Sequence, residues 1–350
     1  MRLPTGNRNG RSTRRRPAHS IHRAPRENPK GKNPMFPVTQ RSRKRQLSIN
    51  GSLGSGKTTV GRMIAARQDL EYFSTGLVQR QIAQGMGLST LELNHIAETD
   101  RSIDERIDSI FKSLASKDGV FVDSRMAWHF LPDSFRVRLI VSPEEAADRV
   151  LRDTDRDAEK YATSLVAIRD IEARTISEMR RFQNTYRVDV TDLANYDFVI
   201  DSEFLTPDTV VELVSAAFSF WINMVSFPAA LISPKTAIPS ISIRQLNANV
   251  VADLVENFRR EGVKLEQKAR VLYYRGRHII VENHEAFCAA VRAGVTAMPV
   301  DIISGLEPLR IAGPSLEQFV TACVRRSRLD EWENACGMTY GSYPSWISSN

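Results

Sequence analysis

The chain has 350 residues, 42% of them hydrophobic, a mean hydropathy of -0.30 and three cysteines. That is room for two domains of ordinary size plus a tail, with a balance that argues against a membrane class. The cysteines (Cys288, Cys323, Cys336) are odd in number, lie late and have no metal-ligand spacing, so they read as reduced thiols of a cytoplasmic protein.

The formal charge of +7 is unevenly placed. Residues 1–45 carry 14 Lys/Arg against one acid, Glu27, a net of +13, so the remainder nets −6. This first stretch is rich in Arg, Pro, Asn, Ser and Gly and has no apolar periodicity, which predicts a disordered basic tail. Arg14-Arg15-Arg16 and the run Arg41 to Arg45 give it a weak, salt-dependent means of touching a nucleic-acid backbone or another anionic surface. A functionless extension, or a true start at Met35, are the competing readings.

From residue 46 short apolar runs alternate with longer amphipathic ones. Leu47 to Arg62 reads LSINGSLGSGKTTVGR, a buried strand, a Gly-rich turn and a helix. Within it Gly51, Ser52, Leu53, Gly54, Ser55, Gly56, Lys57 and Thr58 match the G-x-x-x-x-G-K-[ST] phosphate loop, followed by Thr59. The glycines let successive N–H groups face one anion, and the helix adds its positive end. Lys57 supplies a point charge for the β- and γ-phosphates, and the Thr58 hydroxyl suits Mg²⁺. A nucleoside triphosphate, ATP, is the implied ligand.

Glu71-Tyr72-Phe73-Ser74-Thr75-Gly76 follows, with Gln79 and Arg80 on the helix that begins there. Two hydroxyls before a glycine, with an arginine one turn on, suit a second phosphate-bearing ligand; an ordinary helix cap is the plainer alternative. Helical patterns are predicted over Thr90–Glu98, Ile103–Ser116, Pro143–Arg152 and Ser164–Tyr186. Strands are predicted over Gly119–Val122, Val137–Val141 and Tyr196–Ile200. This alternation predicts a doubly wound parallel sheet, α/β in class. Asp123, at the end of its strand beside the phosphate loop, is placed to hold metal-bound water, and Arg125 is directed at the same crevice.

Arg149, Arg152 and Arg156 recur at spacings of three and four, and Arg174, Glu178 and Arg181 at i, i+4 and i+7, each set on one helical face. Acidic neighbours leave a salt-bridged surface open for the first set, and a structural ion-pair ladder for the second. Val210–Ile232 is the most apolar window. Glu212, Asn223 and Pro228 interrupt it, so it reads as a closing helix started by Thr206-Pro207-Asp208, not a membrane span.

Prolines 228, 234 and 239 then mark a linker at 227–239 between a domain at 46–226 and a second at 240–350. The second domain is predicted as strand Ser240–Ile243, helix Asn249–Arg260, strands Arg270–Tyr274 and His278–Val281, helix Glu285–Ala293, strand Met298–Ile303 and one last helix, Ser315–Cys336.

The LSINGSLGSGKTT loop, the EYFSTG segment, the DSRMAW run at Asp123–Trp128, the R-x-x-x-E-x-x-R helix at Arg174–Arg181 and RVDVTDLANYDFVIDS at Arg187–Ser202 together resemble the cytidylate kinases, in particular the short archaeal-type branch of the nucleoside monophosphate kinases. The resemblance covers about half the chain. It implies ATP- and Mg²⁺-dependent phosphoryl transfer to a nucleoside monophosphate, most naturally CMP or dCMP. It also implies that Arg80 and Arg125 grip the acceptor phosphate, that Arg174, Glu178 and Arg181 frame the nucleotide, and that Arg152 and Arg156 sit on a lid. The bacterial pattern has Asp-Thr-Gly or similar where this chain has Ser74-Thr75-Gly76, which leaves the base preference open. The alternatives are a phosphate-loop regulatory or nucleic-acid-associated protein without an acceptor, and a kinase of another small acceptor.

The segment Tyr273 to His284, with Ala289 to Gly294 and Met298-Pro299-Val300, resembles the ParB/sulfiredoxin-like α+β fold. Members usually carry a Gly-(Glu/His)-(Arg/His)-Arg box; here Asn283-His284-Glu285-Ala286 lacks the glycine and the arginine. The resemblance therefore implies a non-catalytic domain of unknown partner, with His284 a helix-start residue. Nucleotide sensing through Arg275 and Arg277 is the sharper alternative.

Overall fold

The computed structural model describes residues 43–88, 102–152, 163–264, 269–303 and 314–340, together with positions 92, 93, 96, 305, 306 and 347. The predicted helix at Thr90–Glu98, most of Arg149–Arg156 beyond Arg152, and the basic tail up to Ser42 lie outside or largely outside these residues. The first half runs β1 (Gln46–Gly51), α1 (Lys57–Arg67), β2 (Glu71–Ser74), α2 (Thr75–Met86), α3 (Ser102–Leu114), β3 (Val120–Asp123), α4 (Ala127–Phe130), β4 (Phe135–Ile140), α5 (Pro143–Arg152), α6 (Ser164–Tyr186), β5 (Phe198–Asp201) and α7 (Pro207–Ile222). The second half runs β6 (Ala230–Ile232), β7 (Ala237–Pro239), α8 (Ala248–Glu261), β8 (Ala269–Tyr274), β9 (Arg277–Glu282), α9 (His284–Ala293), β10 (Met298–Ile303), α10 (Leu316–Cys323) and α11 (Arg326–Cys336).

The strands form one ten-stranded sheet in the order β2-β3-β1-β4-β5-β6-β10-β8-β9-β7. From β2 to β6 every neighbour is parallel. Strands β1, β3 and β5 are buried along their whole length, as a parallel sheet covered on both faces requires. One face packs α1 and α7 against Phe135 and Phe198, with Phe218 and Trp221 of α7 in the same cluster. The other packs α2 and α3 through Ile82, Ile107 and Phe111. Each fully buried phenylalanine contributes on the order of 2–3 kcal/mol. Thr206 caps α7, accepting from Thr209 N at 3.2 Å, with Pro207 at the first helical position.

The doubly wound parallel reading holds only for the first six strands, because β10 and β6 pair antiparallel and so do β8 and β9. The expected linker at 227–239 is also corrected: it contains β6 and β7. Strand β6 pairs with β5 through Val199↔Ala230 and Ile200↔Leu231, and with β10 through Met298↔Ile232. The prolines flank these short strands instead of spacing two bodies apart. The predicted strand Ser240–Ile243 lies earlier, at β7; Ser242 instead caps a 3-10 turn, Ile243–Gln245, with a reciprocal capping box. The single last helix is two, broken where Val324 is extended.

The apolar core is continuous across the two halves. Trp128, Phe182 and Tyr196 of the first belong to the same cluster as Ile280, Phe287 and Trp332 of the second. All three cysteines are free thiols. No helix among the described residues is long and apolar enough to cross a membrane.

Candidate active site

The phosphate loop is built where β1 ends. Gly54 and Gly56 hold left-handed φ values of 76° and 80°, and α1 begins at Lys57 directly after Gly56. Any Cβ on Gly54 would run into the backbone of Ala146 on α5, so the loop is glycine there for lack of space as well as for curvature. Leu53 anchors the loop in a small apolar cluster with Val141, Ala146, Ala147, Val150, Ala167 and Ile171. The loop is thus seated on α5 and α6. Gly51 is buried and its Cβ position is filled by Ser55, whose own hydroxyl has no protein partner. Ser52, Lys57, Thr58 and Thr59 range from half-buried to exposed at the open side.

Asp123 ends β3, in register with Ile49 of β1 and Ser74 of β2. It is 4% exposed, and its Oδ2 accepts from Thr58 Oγ1 at 2.8 Å and from Tyr72 Oη at 2.9 Å. Burial, followed by the charge of Asp123, pushes the Tyr72 phenol well above its usual range, so it stays a donor. Hydroxyl and carboxylate oxygens side by side are a hard donor set that fits Mg²⁺. No cluster of three or more potential metal-ligating side chains occurs among the described residues, so the rest of such an ion's shell would come from phosphate and water.

Arg125 follows on the same crevice and forms an ion pair with Glu178 of α6; their side chains are 18% and 22% exposed. Its carbonyl accepts from Asn50 Nδ2 at 2.9 Å and from Trp128 Nε1 at 3.1 Å, which fixes the turn that presents the guanidinium. Arg181 lies on the same face of α6, its guanidinium against the Phe182 ring at 5.3 Å and its Nε buried without a protein acceptor. Ser74 is buried at the start of α2, Thr75 Oγ1 is buried without a partner, and Gly76 is half-buried. The backbones of Arg80 and Arg174 fall on α2 and α6 as predicted; their side chains, and all of Arg156, lie outside the described residues. Arg152 is exposed at the end of α5, its Nη2 3.5 Å from Glu145 Oε2.

The structure thus brings together the loop, Asp123, Arg125 and Glu178, and adds residues the sequence reading did not assign. Tyr72 was visible inside EYFSTG but has no motif of its own. Asn50 links the loop to the floor of the site: it bonds the Tyr196 hydroxyl, and its Oδ1 accepts from Arg138 Nη1 at 2.6 Å. Arg149 donates to Glu145 Oε1 at 2.8 Å and Ser202 O at 2.7 Å, and its Nη1 lies 3.9 Å from where a Cβ on Gly56 would stand. Its place on the arginine face of α5 was the available signal. A cleft of about 1650 Å³ is lined by Ile171, Thr175 and Met179 of α6, by Arg138 and Tyr196 and by Arg275 and Arg277, and reaches the loop at Ser52.

A phosphate loop, a buried acid bonded to the loop hydroxyl and, two residues beyond that acid, an arginine paired with a glutamate are the features that a phosphate-loop kinase would use. Residues 46–203 match the cytidylate kinase-like family. A cytidylate kinase from Sulfurisphaera tokodaii is 34% identical over 179 residues, which is 50% of this chain and 96% of that protein. An S-adenosylmethionine-dependent nucleotide dehydratase from Lacinutrix mariniflava is 34% identical over 173 residues, 49% of this chain but only 35% of that protein. Among solved structures, a shikimate kinase from Bacteroides thetaiotaomicron superposes with a TM-score of 0.37 at 14% identity, covering 50% of this chain and 98% of that one. The chain belongs to the cytidylate kinase-like family.

Proposed function

We propose that this protein transfers the γ-phosphoryl group of ATP to a nucleoside monophosphate, CMP or dCMP before other bases, giving ADP and the diphosphate. The observation that carries this reading is the Arg125–Glu178 pair, which joins a strand end beside Asp123 to the middle of α6. An ATPase switch has no use for a second set of anion-binding and base-reading groups opposite its triphosphate. The relatives named cytidylate kinase support the acceptor class.

In this reading the loop amides and Lys57 hold the β- and γ-phosphates, while Thr58 and Asp123 would hold Mg²⁺, which when bound spreads the charge of the transferring group. Tyr72 keeps the Asp123 carboxylate oriented. Arg125, Arg80 and Arg174 hold the acceptor phosphate in line, with Glu178 and Arg181 at the base and sugar. Arg152 and Arg156 neutralise developing charge and exclude water as the acceptor. Residues 240–350, which resemble the ParB/sulfiredoxin-like fold, supply no group that touches the reacting phosphates. Both arginines considered for nucleotide sensing are engaged with carboxylates, Arg275 with Glu317 at 3.1 Å and Arg277 with Glu144 at 2.8 Å. Buried His284 opens α9 and bonds Ser240 Oγ at 3.0 Å, which gives it a structural role.

The test follows ADP release from ATP and Mg²⁺ with CMP, dCMP, UMP, AMP, shikimate or no acceptor, with Lys57→Ala alongside. Turnover stimulated by CMP or dCMP and lost in the variant supports the reading. Slow release indifferent to every acceptor sinks it.

A further inference from the structure

The second half reaches the site through one tight turn. Arg275 and Gly276, both left-handed at φ 46° and 82°, join β8 to β9 as a two-residue hairpin loop. The turn abuts the N-terminus of α5: a Cβ on Gly276 would stand 3.9 Å from Pro143 Cδ. The next residue, Arg277, is 8% exposed, and its Nη2 lies 2.8 Å from Glu144 Oε2 in the first turn of α5. Its Nη1 lies 4.0 Å from Glu203 Oε1, and the other oxygen of Glu203 accepts the Ser142 backbone N–H at 3.0 Å. One guanidinium from the far half of the chain therefore meets two carboxylates at the start of α5, Glu144 on the helix itself and Glu203 beside it.

The same helix touches the loop, one and two turns from its start. Ala146 fills the space beside Gly54, and Arg149 stands against Gly56 while donating to the carbonyls of Ser202 at 2.7 Å and Glu203 at 3.2 Å. Glu203 is thus shared: its side chain meets Arg277 and its carbonyl meets Arg149. Glu144, Ala146 and Arg149 lie within two turns of one helix, so a shift at Glu144 is passed to Ala146 and Arg149. Misplacement of reacting groups by about 1 Å can cost on the order of 10²-fold in rate.

We propose that Arg277 is a positioning residue for phosphoryl transfer, through which the C-terminal half holds α5, and with it Ala146 and Arg149, against the phosphate loop. This rests on the kinase reading above. It gives the accessory half a part in catalysis without a ligand of its own.

The test compares the full-length chain with Arg277→Met, Arg277→Lys, Arg149→Ala and the double variant Arg277→Met/Arg149→Ala. The expected result for Arg277→Met is a fall in kcat of about 10-fold or more with the KM for ATP changed less than about threefold, and partial recovery in Arg277→Lys. Because Arg277 acts through the helix that carries Arg149, the double variant should be little slower than Arg149→Ala alone. Multiplying losses, or an unchanged kcat in a folded Arg277→Met protein, would overturn the proposal. Amide hydrogen exchange supplies the second readout. Arg277→Met should speed exchange across 143–152 and 51–58 and leave β10 unchanged; protection unaltered in 143–152 would also overturn it. A wild-type chain without acceptor-stimulated turnover would mark the failure of the kinase reading itself, and exchange alone would then decide whether Arg277 holds the helix.

Discussion

Two strands of the parallel sheet end in a buried aspartate, and the two ends behave as opposites. At β3, Asp123 is 4% exposed, receives two hydroxyl donors on one oxygen and faces the phosphate loop. At β5, Asp201 is 2% exposed and faces the seam between the two halves. Its oxygens accept from the Glu203 N–H at 3.0 Å and from the Thr236 hydroxyl; Glu203, Arg277, Tyr273 and the His278 ring complete its surroundings. Burial, with Glu203 adding to it, pushes Asp201 up to about 7. Burial and Arg277 hold His278 down to about 3, so the ring is neutral and its approach to Asp201 at 3.9 Å is not an ion pair. Strand-end position alone does not make an acid catalytic. What its neighbours are, a phosphate loop at one end and a packed seam at the other, separates the two.

The contrast can be broken most severely at β3. Asp123→Asn should lower kcat on the order of 10²–10³-fold, with folding retained by calorimetry, because it removes the carboxylate charge, kept in place by Thr58 and Tyr72, that would hold Mg²⁺. Tyr72→Phe should be milder. Loss of one orienting donor should raise the Mg²⁺ concentration needed for half-maximal turnover by about 10-fold and leave saturating kcat within about threefold, read from a magnesium titration.

At β5 the expected effect is on stability. The folded chain keeps a proton on Asp201 that the unfolded chain releases above about pH 4. Stability from this group is therefore full in acid and falls as pH rises to about 7, by up to about 4 kcal/mol. His278 and His284, held down to about 3 and about 4, act with the opposite sign: their contribution is lost as pH falls below about 6.5. The difference between wild type and Asp201→Asn isolates the aspartate. The melting temperature of the variant relative to wild type should climb from pH 5 to pH 8, and a flat difference would refute the assignment.

The first half was largely readable because its signals are local. Strand, Gly-rich turn and Lys-Thr name the phosphate loop, and Pro143–Arg152 and Ser164–Tyr186 follow helical periodicity to the residue. Asp123 and Arg125 could be placed because a strand end beside such a loop has few other uses. What could not be read were partnerships across the fold. Nothing near Tyr72 announces a bond to Asp123, and nothing near Arg277 announces Glu144, more than a hundred positions away. The linker failed for a related reason. Ala230–Ile232 and Ala237–Pro239 are three residues each, too short for an alternation to show, and their strand character comes from the edges they meet.

Strand β10 divides its length between two neighbours: Met298 and Pro299 pair with β6, and Val300 to Ile303 pair with β8. On the ribosome this imposes an order of completion. The kinase half emerges first, and β5 gains β6 soon after, yet β6 keeps an open hydrogen-bonding edge until the whole chain between Ile232 and Met298 has been made. During that interval the nascent protein carries a bare strand of Ala-Leu-Ile, the kind of edge that invites pairing with another chain. Closure of the sheet at β6 therefore comes well after the phosphate loop has been made.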